Sequence, residues 1–132
     1  MITITVPFEP IGFNNAYKSA NNGRRFLSKQ AKQYKEAVRL AARGKKLDVD
    51  RTKHYLSVEA HLYFSNMLTK DGLIKLRRFD LDGHLKFLID SACEALGFDD
   101  SLILDLVAHK RPGNSQSIIM LRRHDLHTLD KS

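Results

Sequence analysis

The fold is decided by residues 56–64, which read LSVEAHLYF. Apolar residues occupy every second position from Leu56 to Phe64, and Ser57, Glu59, His61 and Tyr63 stand between them. Because side chains alternate between the two faces of a strand, this period of two predicts a strand with one buried face and one solvated face. The rest of the chain must then supply neighbouring strands and helices to cover the apolar face.

Alternation at residues 2–6 predicts a first strand, and the Asn, Gly and Pro residues of 9–22 predict a long loop. Ser28 is a suitable N-cap for a helix over 29–43 that Gly44 stops. Downstream we expect a short returning strand, a second helix ended by Gly97, and a terminal hairpin around a Pro-Gly-Asn turn. These three features cover residues 73–79, residues 82–96, and residues 102–110 with 117–122.

The predicted fold class is α+β, a small mixed β-sheet with two main helices. Its elements follow the order strand, helix, strand, strand, helix, strand, strand. With 132 residues, 42% of them hydrophobic and 28% charged, the chain has the size and composition of one globular domain. We expect that domain to span 1–123 and to be followed by a flexible tail over 124–132.

Composition also limits the function. A single cysteine, Cys93, excludes an intramolecular disulfide and a cysteine-based zinc site. We expect no membrane segment, because no apolar run approaches about 18 residues, and no secretion signal, because the first residues lack its basic and apolar regions. The expected location is therefore the cytoplasm.

Charge is strongly segregated along the chain. The net charge is +7, and residues 24–46 hold nine Lys or Arg and one acid, a local charge of +8. Residues 80–105 reverse the sign, with seven acids and one base, a local charge of −6. A basic protein of this kind predicts a polyanionic partner such as nucleic acid.

The basic residues of the first helix form a stripe about 130° from its apolar face, at 100° per residue. A solvated face is the alternative, but we favour a DNA-backbone contact because like charges at i,i+3 and i,i+4 repel without a counter-charge. Arg77 and Arg78 adjoin the carboxylates and are candidates to hold a scissile phosphate. The other predicted DNA-binding residues are Arg24, Arg25, Lys29, Lys32, Lys35 and Arg39.

The acidic segment contains the strongest candidate site. Asp80 and Asp82 are two residues apart at the start of the second helix, so in an extended entry segment both address one point. Lys86 follows one helical turn after Asp82, and a third carboxylate from Asp99-Asp100 comes after the helix. Either a fold-back within one subunit or a dimer could unite these carboxylates. Oxygen ligands favour Mg²⁺ or Mn²⁺, as in metal-dependent nucleases, whereas a helix cap, a surface ion pair and loop residues are the structural alternatives.

The run Arg78-x-Asp80-Leu81-Asp82, with Lys86 four residues on and Asp-Asp after Gly97-Phe98, resembles the RusA family of Holliday-junction resolvases. The likeness spans roughly residues 4–121. It also includes residues upstream of this run, in the N-terminal loop and first helix, and residues downstream of it, from the Asp-Asp pair into the following strand. These are Pro10, Asn14, Asn15, Ala16, Tyr17, Arg24, Ser28 and Tyr34, then Asp100, Ser101 and Lys110.

The resemblance implies a RusA-like, Mg²⁺-dependent homodimeric endonuclease, with Mn²⁺ as a substitute, that nicks four-way DNA junctions symmetrically. Such enzymes occur in bacteria, prophages and phages and act in recombination and repair, without a small-molecule substrate. By resemblance, Asp80, Asp82 and Asp100 are the catalytic, metal-binding carboxylates and Lys86 is the catalytic lysine. Asn15 joins the DNA-binding residues on the same ground.

Two departures from the family keep alternatives open. Gly83 stands where the family usually has Asn, so a non-catalytic nucleic-acid-binding protein is one alternative. A nuclease acting on forks or flaps is another. The Gly-Phe-Asp-Asp segment is shorter than usual, which leaves Asp99 and Asp100 as rival third carboxylates.

Overall fold

A computed structural model describes residues 1–19, 22–76, 81–129 and 131, apart from the side chains of Phe13 and Asn14. The predicted α+β class, with two main helices and a mixed sheet, is confirmed. Short 3-10 turns follow three of the elements, at Ser65–Met67, Asp100–Leu102 and Leu126–Thr128. The helices and strands are β1 (Ile2–Val6), α1 (Phe13–Ala16), β2 (Tyr17–Ser19), β3 (Arg25–Leu27), α2 (Lys29–Ala41), β4 (His54–Phe64), α3 (Leu81–Leu96), β5 (Ile103–Pro112) and β6 (Gln116–Asp125).

The main sheet has the strand order β1-β6-β4-β5, so the strand that dominates the sequence pattern is an interior strand. The apolar side chains of β4 are buried, and those between them are partly or fully exposed. Both α2 and α3 contribute buried side chains to the same core, which places them on one face of the sheet. The other face carries the polar residues of β4.

The predicted terminal hairpin is wrong, although both of its strands exist. β5 pairs with β4 in parallel and β6 pairs with β4 antiparallel, so β4 lies between them. The connection over residues 113–115 crosses the end of β4, where the Gly113 N–H donates to the Phe64 carbonyl at 3.3 Å. Inserting β4 satisfies its backbone groups on both edges and buries its apolar row.

Local signals located the two main helices well. The Ser28 hydroxyl accepts from the Ala31 N–H at 3.1 Å, which caps α2 as predicted. The second main helix, α3, is followed by Gly97 at φ +77°, and the Phe98 N–H donates to the Cys93 carbonyl at 2.9 Å. This left-handed glycine and its hydrogen bond form the expected C-terminal stop.

Three further expectations need correction. The predicted loop 9–22 contains α1 and β2, and β2 pairs antiparallel with β3. Of the predicted strand 73–79, residues 77–79 lie outside the described residues, and the described part contributes an isolated bridge from Leu68 to Ile74. β6 runs two residues into the predicted tail, since its end still pairs with β4.

Candidate active site

An open cleft of about 380 Å³ lies between α3 and the beginning of β5. Its polar residues come from the exposed side of α3 and from the 3-10 turn that precedes β5. Its apolar residues come from the adjoining edge of the core. The lining residues are Asp82, Leu85, Lys86, Ile89, Asp90, Asp100, Ile103 and Leu106.

The cleft brings together Asp82, Lys86 and Asp100, three of the four predicted catalytic residues. Asp82 lies in the first turn of α3, and Asp100 begins the turn after that helix. The two carboxylates share one cleft because the chain after α3 returns along the helix into β5. Asp82 and Asp100 of a single chain therefore line one cleft.

Asp80, the fourth predicted catalytic residue, lies outside the described residues together with Arg77 and Arg78. The carboxylate triad predicted from the resemblance is therefore described for Asp82 and Asp100 alone. Both side chains belong to exposed residues and are open to a ligand from solvent.

Asp99 and Asp100 have different roles in the described structure. The Asp99 carboxylate accepts from the Ser101 N–H at 2.9 Å and caps the 3-10 turn. That hydrogen bond is the main reason that the pKa of Asp99 lies below its ordinary value. Asp100 faces the cleft. A carboxylate engaged with its own turn is the weaker candidate for a cation, so the geometry favours Asp100.

Asp90 is a cleft residue that the sequence analysis did not single out. It lies four residues after Lys86 and eight after Asp82, so the three side chains form one stripe along α3. That spacing was the available signal. Partial burial raises the pKa of Asp90, the Lys86 ammonium opposes this rise, and the Asp100 carboxylate adds to it. Asp90 therefore carries its negative charge at a cost that a cation in the cleft would offset.

The donor set of the cleft fits a hard divalent cation. Its charged ligands are carboxylate oxygens, which suit Mg²⁺ or Mn²⁺, and among the described residues neither histidine nor cysteine lines it. The three carboxylates and one ammonium sum to a local charge of −2. A site for phosphate without a cation would not gather this much negative charge.

The predicted DNA-binding residues of α2 divide into two groups. Lys35 forms an ion pair with Glu94 of α3, and Arg39 forms one with Glu36. Lys29 and Lys32 are exposed, and no acidic partner is found for either within the described ranges. The assumption that the whole stripe lacks counter-charges is thus wrong, because Glu94 arrives from a helix distant in sequence.

The remaining predicted DNA-binding residues lie around the start of α2. Arg24 is exposed, and the Arg25 guanidinium lies 5.5 Å from the centre of the Tyr17 ring. Asn15 lines an open polar groove with Lys18 and Lys29. This groove gives the predicted Asn15 and Lys29 a common surface that is open to solvent.

A comparison with protein-family models gives a match over most of the chain. The family model described as Endodeoxyribonuclease RusA matches residues 7–122. A search of curated proteins found no match. In the described part of the chain, no helix is long and apolar enough to cross a bilayer. The match makes the protein an endodeoxyribonuclease, a hydrolase that cleaves DNA phosphodiester bonds, from a family that acts on Holliday junctions. With a match over 116 of its 132 residues, the chain belongs to the RusA family.

Proposed function

We propose that this protein resolves four-way DNA junctions by paired symmetric nicks, acting as a Mg²⁺-dependent homodimer. The observation that carries the proposal is the cleft that gathers Asp82, Asp100 and Lys86 in a chain of this family. A second copy is required because two symmetric nicks on a two-fold junction need two equivalent active sites.

Each cleft residue has a distinct task in this reaction. Asp82 and Asp100, with Asp80, would hold the divalent cation through their oxygens. When bound, such a cation supplies Lewis-acid activation of water and offsets the charge of the scissile phosphate. Lys86 donates hydrogen bonds to a phosphate oxygen and stabilises the negative charge that develops on it. Asp90 holds the Lys86 side chain toward the cleft through their opposite charges.

The basic surface would bind the arms of the junction. Lys29, Lys32 and Arg24 supply exposed cations for phosphate groups, and Asn15 supplies an amide on the same side. Lys35 and Arg39 contribute less, since Glu94 and Glu36 already neutralise them. Arg77 and Arg78, next to Asp80 in the sequence, are the proposed contacts to the cleaved strand.

The edge strand β5 is the proposed dimer surface. Leu104, Leu106 and Val107 each expose about half of their surface, at 51%, 47% and 51%. These residues are unusually apolar for an edge strand, which proteins normally protect with charge or cover. Leu106 also lines the cleft, so a partner at this edge would lie beside the proposed catalytic residues.

The decisive experiment measures cleavage of a synthetic mobile four-way junction with Mg²⁺ or with EDTA. Wild-type protein should nick two opposite strands in Mg²⁺, and Asp82→Asn should abolish nicking while junction binding persists. Asp48→Asn is the matched control, because this exposed aspartate lies outside the cleft and should leave nicking unchanged.

Other outcomes overturn the proposal. Equal cutting of linear duplex or preferential cutting of forks would indicate a different nuclease specificity. Binding without nicking by the wild-type protein would indicate a non-catalytic DNA-binding protein. The dimer is tested by sedimentation analysis, in which Leu106→Glu should yield monomers. A wild-type protein that sediments as a monomer at micromolar concentration contradicts the proposed dimer.

A further inference from the structure

A second cluster of ligand-type side chains lies on the face of the sheet opposite the helices. His61 of β4 and His109 of β5 are direct partners in the parallel register. Their rings stack with centroids 4.7 Å apart and an interplanar angle of 15°. Glu59 precedes His61 by two residues, so it projects to the same face, and its carboxylate lies 3.3 Å from the His61 Nε2.

This cluster is separate from the cleft. In the register of β4 and β5, Leu106 of the cleft pairs with the buried Val58, whereas His109 pairs with the outward-facing His61. The two sets of side chains therefore lie on opposite faces of the same pair of strands. The endonuclease proposal uses none of Glu59, His61 and His109.

The geometry is close to that of a transition-metal site. One ligand atom from each of the three residues can be chosen so that all lie within 4.8 Å of one another. Ligand atoms around a tetrahedral Zn²⁺ at about 2.0–2.1 Å are roughly 3.4 Å apart, so the widest separation must shrink by up to about 1.4 Å. The Glu59 side chain is 48% exposed and so has room for part of this movement.

Ligand chemistry selects the kind of ion. Two imidazoles and one carboxylate suit Zn²⁺, Cu²⁺ or Ni²⁺, whereas Mg²⁺ prefers oxygen ligands alone. Three protein ligands leave a further coordination position for water. The pairing across β4 and β5 means that one ion would cross-link the edge strand to its neighbour.

Arg111 is the main competitor for this site. Its guanidinium lies 3.2 Å from the His109 Nδ1, and it also donates to the Lys110 carbonyl. Since arginine is a donor only, it must leave this histidine nitrogen if the ring is to rotate for an ion. The residue is exposed and has room to move.

We propose that Glu59, His61 and His109 bind a first-row transition-metal ion of the Zn²⁺ type, at a site distinct from the endonuclease cleft. Removing either histidine should weaken the binding of Zn²⁺ at least tenfold, because two remaining ligands cannot hold the ion tightly. Removing the Arg111 side chain should leave the affinity unchanged or raise it, since it deletes a competing cation.

Isothermal titration of full-length protein, stripped with EDTA and returned to excess MgCl₂ so that Mg²⁺ occupies the cleft, with ZnCl₂ tests the proposal. We expect one ion per chain for the wild type, His127→Ala and Asp82→Asn, and at least tenfold weaker binding for His61→Ala and His109→Ala. His127 is the matched histidine control because it is exposed on the turn after β6. Retained Zn²⁺ binding in Asp82→Asn would show that this site is distinct from the cleft.

A measurement on the wild-type protein guards against misfolded variants. Imidazole resonances of His61 and His109 should shift on addition of Zn²⁺, while that of His127 should not. Unchanged affinity in both histidine variants, loss of binding in Asp82→Asn, or shifts at neither paired histidine would each overturn the proposal. Junction nicking in Mg²⁺ should persist in His109→Ala, so this inference and the proposed endonuclease function fail independently.

Discussion

The double substitution Lys29→Ala/Lys32→Ala should reduce the salt dependence of junction binding. Each phosphate contact contributes about 0.9 to the slope of log K against log salt concentration on duplex DNA. If both exposed lysines contact phosphates, the slope should fall by about 1.8. Between 50 and 200 mM salt, the wild type should then lose about 12-fold more affinity than the variant loses.

The ion pairs of α2 provide internal controls for this prediction. Arg39→Ala should lower the slope by less than 0.9, because Glu36 already neutralises Arg39. Glu36→Gln should increase the slope, since it releases Arg39 for a phosphate. The measurement is fluorescence anisotropy with a labelled junction in EDTA, which prevents cleavage, at several KCl concentrations. A Lys29→Ala/Lys32→Ala slope equal to that of the wild type would refute the assignment of these lysines to the DNA surface.

Three further predictions concern stability and reactivity. Phe87→Ala should lower the free energy of unfolding in urea by about 3–5 kcal/mol, because Phe87 is fully buried and its ring centre lies 5.8 Å from that of Tyr34. The control Phe26→Ala removes a side chain that is 47% exposed and should lower it by about 1 kcal/mol or less. Asp90→Asn should stabilise the protein in EDTA at pH 7. Folding raises the pKa of Asp90, so at pH values above that raised pKa the ionised carboxylate lowers the free energy of unfolding of the wild type. Below the ordinary pKa of 3.8 the carboxyl is mostly protonated in both the folded and the unfolded state. The stabilisation by Asp90→Asn should therefore disappear at about pH 3.5. Cys93 should react with iodoacetamide far more slowly at pH 8 in the folded protein than in urea, because burial raises the pKa of its thiol to about 11; equal rates would contradict its burial.

Sequence patterns located the elements whose cause is local. The alternation of 56–64, the Ser28 cap and the glycine stop at Gly97 depend on residues close in the chain, and each predicted its element correctly. The Asp-Leu-Asp run and its surroundings likewise led to the family before any fold was known. The basic stripe of α2 was found by the same reasoning, although its ion pair with Glu94 was not.

Pairing between distant segments required the tertiary structure. The sequences of β5 and β6 predicted two strands, but their pairing with opposite edges of β4 depends on backbone hydrogen bonds between residues 47 to 71 positions apart. The same return of the chain brings Asp100 to the cleft of Asp82 and places Asp90 beside them. It also stacks His61 on His109.

Sequence alone therefore determined the chemistry available to this protein: a basic surface, a set of carboxylates with a lysine, and strands and helices of known period. Tertiary structure decided which of these groups share a site. The difference lies in the sequence distance over which the interactions act. Helix caps and alternation depend on a few neighbouring residues. Strand order depends on burying one apolar row while satisfying the hydrogen bonds of every strand edge, and that free energy is a sum over the whole chain.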